Sequence, residues 1–132
     1  MPPSKSQVWV VLRAADDTRR LVYSLAAGFL GRMCLSGEMH DLREDQWTLT
    51  QNALVLYRKL SRLIAHADGQ RLGQWGQSYL HPTGWQAVVW SAADQNQCVV
   101  VIHTFGKAPA AIEAVPLPPG HWHLRKTFAE TG

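Results

Sequence analysis

The sequence predicts an α/β piece followed by a small antiparallel β-sandwich, and three observations carry that expectation. Near the N-terminus, short continuous apolar runs alternate with segments of helical period. After Asp68-Gly69 the pattern changes, and short strand-like runs follow one another at regular spacing. Between those runs lie Pro82-Thr83-Gly84, Asp94-Gln95-Asn96, Gly106-Lys107-Ala108-Pro109 and Pro118-Pro119-Gly120, all of which suit turns. The chain has 132 residues, enough for one ordinary domain or two small ones. A boundary near residues 65–71 divides it into 1–66 and 67–132.

Each element has a local cause. Val8-Trp9-Val10-Val11-Leu12 is apolar and rich in β-branched residues, the signature of a strand buried on both faces, as in parallel sheets. Asp16, Asp17 or Thr18 can accept hydrogen bonds from the free N–H groups of a first helical turn. The helix that follows places Leu21, Val22, Leu25, Phe29 and Leu30 at spacings of three and four, with Gly28 and Gly31 marking close packing and its end. Arg32-Met33-Cys34-Leu35 reads as a second buried strand ending at Ser36-Gly37. Asp41 and Glu44 have the spacing of a capping box and open the longest helix, to about residue 65. Its apolar stripe is Leu49, Ala53, Leu56, Leu60 and Leu63, widened by Tyr57 and Ile64. Strand, helix, strand, helix implies parallel strands joined by right-handed crossovers. Two such strands need further neighbours, so this half reads as part of something larger. Beyond it, strands are expected around residues 75–80, 85–91, 97–105, 111–117 and 121–128. Val88, Trp90, Val99, Val101 and Ile112 would pack against one another there.

Charge and composition exclude several function classes. The net charge is only +3 and the basic residues are spread along the chain, so no nucleic-acid partner is expected. Arg19-Arg20 before the apolar run 21–31 resembles an export signal superficially. The acidic pair Asp16-Asp17 stands where such a signal is positive, and the run is shorter than the roughly 18 residues of a membrane span. No membrane association is expected. Cys34 and Cys98 each sit in an apolar run, which reads as two free thiols in a reducing, cytoplasmic compartment.

The segment Leu25-Ala26-Ala27-Gly28-Phe29-Leu30-Gly31-Arg32-Met33-Cys34-Leu35-Ser36-Gly37-Glu38, followed by Leu42, Gln46, Ala53, Leu56 and Tyr57, resembles bacterial α-galactosidases of glycoside hydrolase family 36. The G-R-x-C-L-S-G core is the specific part. The resemblance implies that this run is the last strand of a (β/α)8 catalytic barrel, that residues 1–66 are the last two strand–helix units of that barrel, and that a C-terminal β-sandwich follows. Cys98-Val99-Val100-Val101-Ile102-His103-Thr104-Phe105 would stand for a central sandwich strand, and Leu117-Pro118-Pro119-Gly120 for a turn before the final one. Members of the family cleave terminal α-galactosides with retention, using a nucleophile and an acid/base carboxylate. The nucleophile lies in a Lys-x-Asp motif, and none of Lys5, Lys59, Lys107 or Lys126 has an Asp two residues later. No Ser-Asp pair of the acid/base type occurs either, so no catalytic residue is assigned.

Ser36, Gly37 and Glu38 fall where a parallel strand ends, the edge at which barrel enzymes assemble their sites, and they are the candidate substrate-binding residues. The alternative is a chain turn with a solvated carboxylate. Glu38 and Asp41 make a poor catalytic pair, because a helix cap already accounts for Asp41. His121 and His123 would share one side of a strand, but two ligands are too few for zinc, so no metal and no cofactor is expected. Cys34 in an apolar strand reads as inert packing. Trp75, Trp85, Trp90 and Trp122 could stack on sugar faces if exposed, although aromatic residues on strands usually fill a core. The sequence thus points to the C-terminal fragment of an α-galactosidase-type glycoside hydrolase, inactive alone, meeting α-galactosides through its parent. Self-association, or a partner carrying the missing barrel strands, is expected. The alternatives are a free-standing carbohydrate-binding or interaction module and a subunit completing a split enzyme.

Overall fold

The computed structural model describes residues 3–76, 78, 80–94, 96–112 and 115–129. The first apolar run forms β1 (Gln7–Leu12), and helix α1 (Thr18–Ala27) follows it. Asp17 caps α1 as its sequence suggests: its Oδ1 accepts from the Arg20 N–H at 2.7 Å. A 3-10 turn (Gly28–Leu30) leads into β2 (Arg32–Gly37). The long helix α2 (Glu44–His66) then runs directly into a hairpin of β3 (Asp68–Trp75) and β4 (Gly84–Ser91), and β5 (Cys98–Thr104) completes the regular structure.

β1 and β2 pair in parallel, Val10 opposite Leu35, as the strand–helix–strand pattern requires. The other three strands form one antiparallel sheet in the order β3-β4-β5. Two strands with two helices and a single three-stranded sheet do not make the last units of a (β/α)8 barrel followed by a β-sandwich. The physical reasons differ for the two halves. A barrel closes only when each strand has two neighbours, whereas β1 and β2 here have only each other among the described residues. A sandwich needs a second sheet facing the first, and the segments expected to supply it contain no strand among their described residues. Residues 111, 112 and 115–117, and 121–128, are irregular; Glu113 and Ala114, within the expected strand 111–117, lie outside the described residues.

The antiparallel sheet therefore packs on helices. Val101 joins buried Phe29 and Ile64 in a cluster flanked by Trp90, Val99, Leu56, Tyr57 and Leu60. A second cluster of Val10, Leu12, Leu21, Leu25 and Ala53 lies between the parallel strands and the helices, and Met33 touches both. Polar ties fix this arrangement. The Trp90 indole N–H donates to the Phe29 carbonyl at 2.8 Å, joining β4 to the 3-10 turn after α1. The Tyr57 hydroxyl donates to the Gly31 carbonyl at 2.9 Å and accepts from the Met33 N–H at 3.0 Å, joining α2 to the start of β2.

The start of α2 differs from expectation. Asp41 lies in a 3-10 turn (Met39–Asp41), and the N-cap is Arg43, whose N–H donates to Gln46 Oε1 at 2.9 Å. The buried line of α2 is also rotated: Gln46, Thr50, Ala53 and Ile64 are buried, whereas Leu49, Leu56 and Leu60 are only half-buried. In the hairpin, β3 begins at Asp68, where a linker was expected, and stops at Trp75, where a strand was expected to begin.

Candidate functional site

Ser36, Gly37 and Glu38 lie at the C-terminal end of β2, beside the end of β1. Ser36 is half-buried opposite Val11. Gly37 stands opposite Leu12 at φ +98°, and a Cβ there would collide with the Leu12 carbonyl oxygen, so only glycine fits. The chain turns at that point, the Glu38 N–H donating to the Leu12 carbonyl at 2.8 Å, which leaves the Glu38 side chain exposed.

The neighbouring loop, residues 13–17, is held by groups that apolar periodicity does not reveal. Buried Gln46 donates through Nε2 to the carbonyls of Ala14 at 3.0 Å and Asp16 at 2.9 Å. Arg43 Nη1 donates to the Ala14 carbonyl at 2.9 Å, while its Nε sits 3.2 Å from Asp45 Oδ1. The guanidinium hydrogen bond from Arg43 holds the Asp45 carboxyl below its ordinary range. The edge is thus a hydrogen-bonded, polar rim formed by the ends of β1 and β2 and the start of α2.

Its chemistry is limited. Glu38 and Asp41 are both exposed, and the Asp41 carboxylate lies 3.4 Å from His40 Nε2. A retaining glycosidase separates the roles of its carboxylates by contrasting environments, which two solvated groups lack. No family model, curated protein or solved structure matches the chain.

The remaining sequence candidates are dispersed. His121 and His123 are exposed, and no group of metal-binding side chains occurs among the described residues. Cys34 and Cys98 are unpaired thiols, half-buried in separate sheets. Of the four tryptophans considered for sugar stacking, Trp90 is committed to the core, Trp122 donates locally to the Pro118 carbonyl at 2.8 Å and Trp85 is half-buried. Trp75 alone among them is exposed, at 45%. No helix is long and apolar enough to cross a membrane among the described residues.

Sequence reasoning passed over His103. Its ring is 4% exposed between β5 and α1, with Nε2 3.3 Å from the Tyr23 carbonyl and the Tyr23 ring edge-on at 4.6 Å. Its Nδ1 has no partner. Burial pushes its pKa below the ordinary value of 6.5, and the hydrogen bond to the Tyr23 carbonyl offsets this only in part.

Proposed function

We propose that this chain is a non-catalytic, C-terminal portion of an α-galactosidase-type glycoside hydrolase. In this reading it supplies Ser36, Gly37 and Glu38 to a sugar site whose carboxylate pair lies on other polypeptide. One observation carries the reading: the G-R-x-C-L-S-G run forms a parallel strand, β2, and ends in an exposed turn at the rim where parallel sheets gather ligand-binding groups. The rim's own carboxylates, solvated and unpaired with each other, fit a supporting role and not a catalytic one.

The same reading accounts for the bare side of the parallel sheet. Trp9, Val10 and Val11 belong to a strand type that is normally covered on both faces, yet Trp9 is 63% exposed. Further polypeptide, from a second copy of the chain or from a partner that adds strands, would cover it. Two unpaired thiols fit a reducing cytoplasmic compartment.

The test is hydrolysis of a chromogenic α-galactoside by the purified chain across the pH range. No turnover is expected, because the sequence has no Lys-x-Asp nucleophile motif and Glu38 and Asp41 are both solvated. Turnover abolished by Glu38→Gln or Asp41→Asn would overturn the assignment.

A further inference from the structure

The end of the β3–β4 hairpin carries a second feature, separate from the rim of the parallel strands. A shallow depression of about 550 Å³ opens there, walled by Gln74, Trp75, Thr83 and Lys107 over a glycine floor. Trp75 stands in register with Gly84, so no side chain stands directly opposite its indole. Arg71 lies four residues back on the same sheet face and reaches past Gly73 to place its guanidinium 5.6 Å from the ring centroid.

Lys107 is brought to the depression by a stitched frame. Gly84 N–H donates to the Gly106 carbonyl at 2.9 Å, Phe105 N–H to the Gly84 carbonyl at 2.8 Å, and Gly76 N–H to the Thr83 carbonyl at 2.9 Å. Within that frame Lys107 adopts φ +57°, a left-handed conformation uncommon outside glycine. Neither Arg71 nor Lys107 has a carboxylate partner among the described residues, and no acid lines the depression. An exposed indole with Arg71 over its ring, the Lys107 ammonium and the Thr83 hydroxyl therefore border one small open volume.

We infer that this depression binds an anionic monosaccharide, a pyranose ring bearing a carboxylate or a phosphate. The indole takes the apolar face of the ring, as aromatic side chains do with amphipathic partners. Lys107 takes the anionic group, and Thr83 meets a ring hydroxyl. A single indole with a polar rim suits a sugar better than a nucleobase, which is held by stacking and by hydrogen bonds to its edge in a deeper slot. The inference stands whether or not the glycosidase reading holds, because it uses no residue of the β2 rim.

Isothermal titration of the full chain tests it, with galacturonic acid, galactose 6-phosphate, galactose, inorganic phosphate and adenosine monophosphate as probes. At least one of the two anionic sugars binds, and the tighter of them identifies the anionic group. Galactose and inorganic phosphate bind at least about tenfold more weakly, a difference set by losing one half of the recognition. Trp75→Ala and Lys107→Gly each weaken the anionic sugar about tenfold, and added salt weakens it further. Lys107→Gly keeps the backbone conformation, and an unchanged melting temperature in both variants separates lost binding from lost fold. Absence of binding by both anionic sugars, equal affinity for galactose, tighter binding of adenosine monophosphate, or variants that bind like the parent would each overturn the inference.

Discussion

Replacing Tyr57 with Phe isolates the tie between the long helix and the parallel sheet. The ring stays: it packs edge-on against Phe29 with centroids 5.5 Å apart, and the substitution leaves that contact in place. Only the hydroxyl is removed, and with it a donor to the Gly31 carbonyl and an acceptor for the Met33 N–H. Gly31 is buried and Met33 half-buried, so each loses a partner where water replaces it poorly. An unsatisfied buried backbone group costs about 1–3 kcal/mol, and two partly sheltered ones together cost about 2–3 kcal/mol. With a urea m-value of about 1–3 kcal/mol/M, the unfolding midpoint falls by roughly 0.7–3 M while m is unchanged. Tryptophan fluorescence during urea titration reads this directly. A Tyr57→Phe midpoint that gives a stability within about 0.5 kcal/mol of the parent would refute the two-bond account, since that is the scale of an ordinary surface change.

Two further predictions follow from single side chains. Because burial lowers the His103 pKa in the folded chain, the unfolded chain takes up the proton first as pH falls below 6.5. The stability His103 contributes is full above 6.5 and declines toward its lower folded-state pKa. Melting temperatures from pH 7.5 to 5 should show a fall that His103→Phe removes, and identical slopes in both proteins would contradict this. The exposed strand face around Trp9 predicts self-association in dilute buffer, reduced by Trp9→Lys. Sedimentation of the parent as a stable monomer would count against it.

The first half of the chain was legible because its causes are local. Apolar runs located β1 and β2, and of Asp16, Asp17 and Thr18, all able to start α1, Asp17 is the cap. What periodicity missed was polar: Gln46 and Thr50 are buried because their side chains bond backbone carbonyls, Thr50 Oγ1 donating to Gln46 at 2.8 Å. Gln46, the residue that fixes the loop beside the candidate site, was for that reason invisible to a search for apolar stripes. In the second half, β3 lacks alternation and is defined by its partner, pairing from Asp68 opposite Ser91 to Trp75 opposite Gly84. Residues 111–128 show the converse. Their apolar content suggested two strands, but Pro116, within the first of them, lacks the N–H that a ladder requires. Regular spacing of turns could not reveal that Trp90 and Val101 face helices. That choice belongs to tertiary packing and decided against a sandwich.

Complementation tests the central claim most directly. A bacterial α-galactosidase truncated after its catalytic carboxylates should be inactive on a chromogenic α-galactoside. Adding this chain should restore measurable hydrolysis in proportion to the chain added, and Gly37→Val, which blocks the turn at the end of β2, should not support it. Failure of the folded parent chain to restore any hydrolysis, or equal restoration by the Gly37→Val variant, would contradict the account.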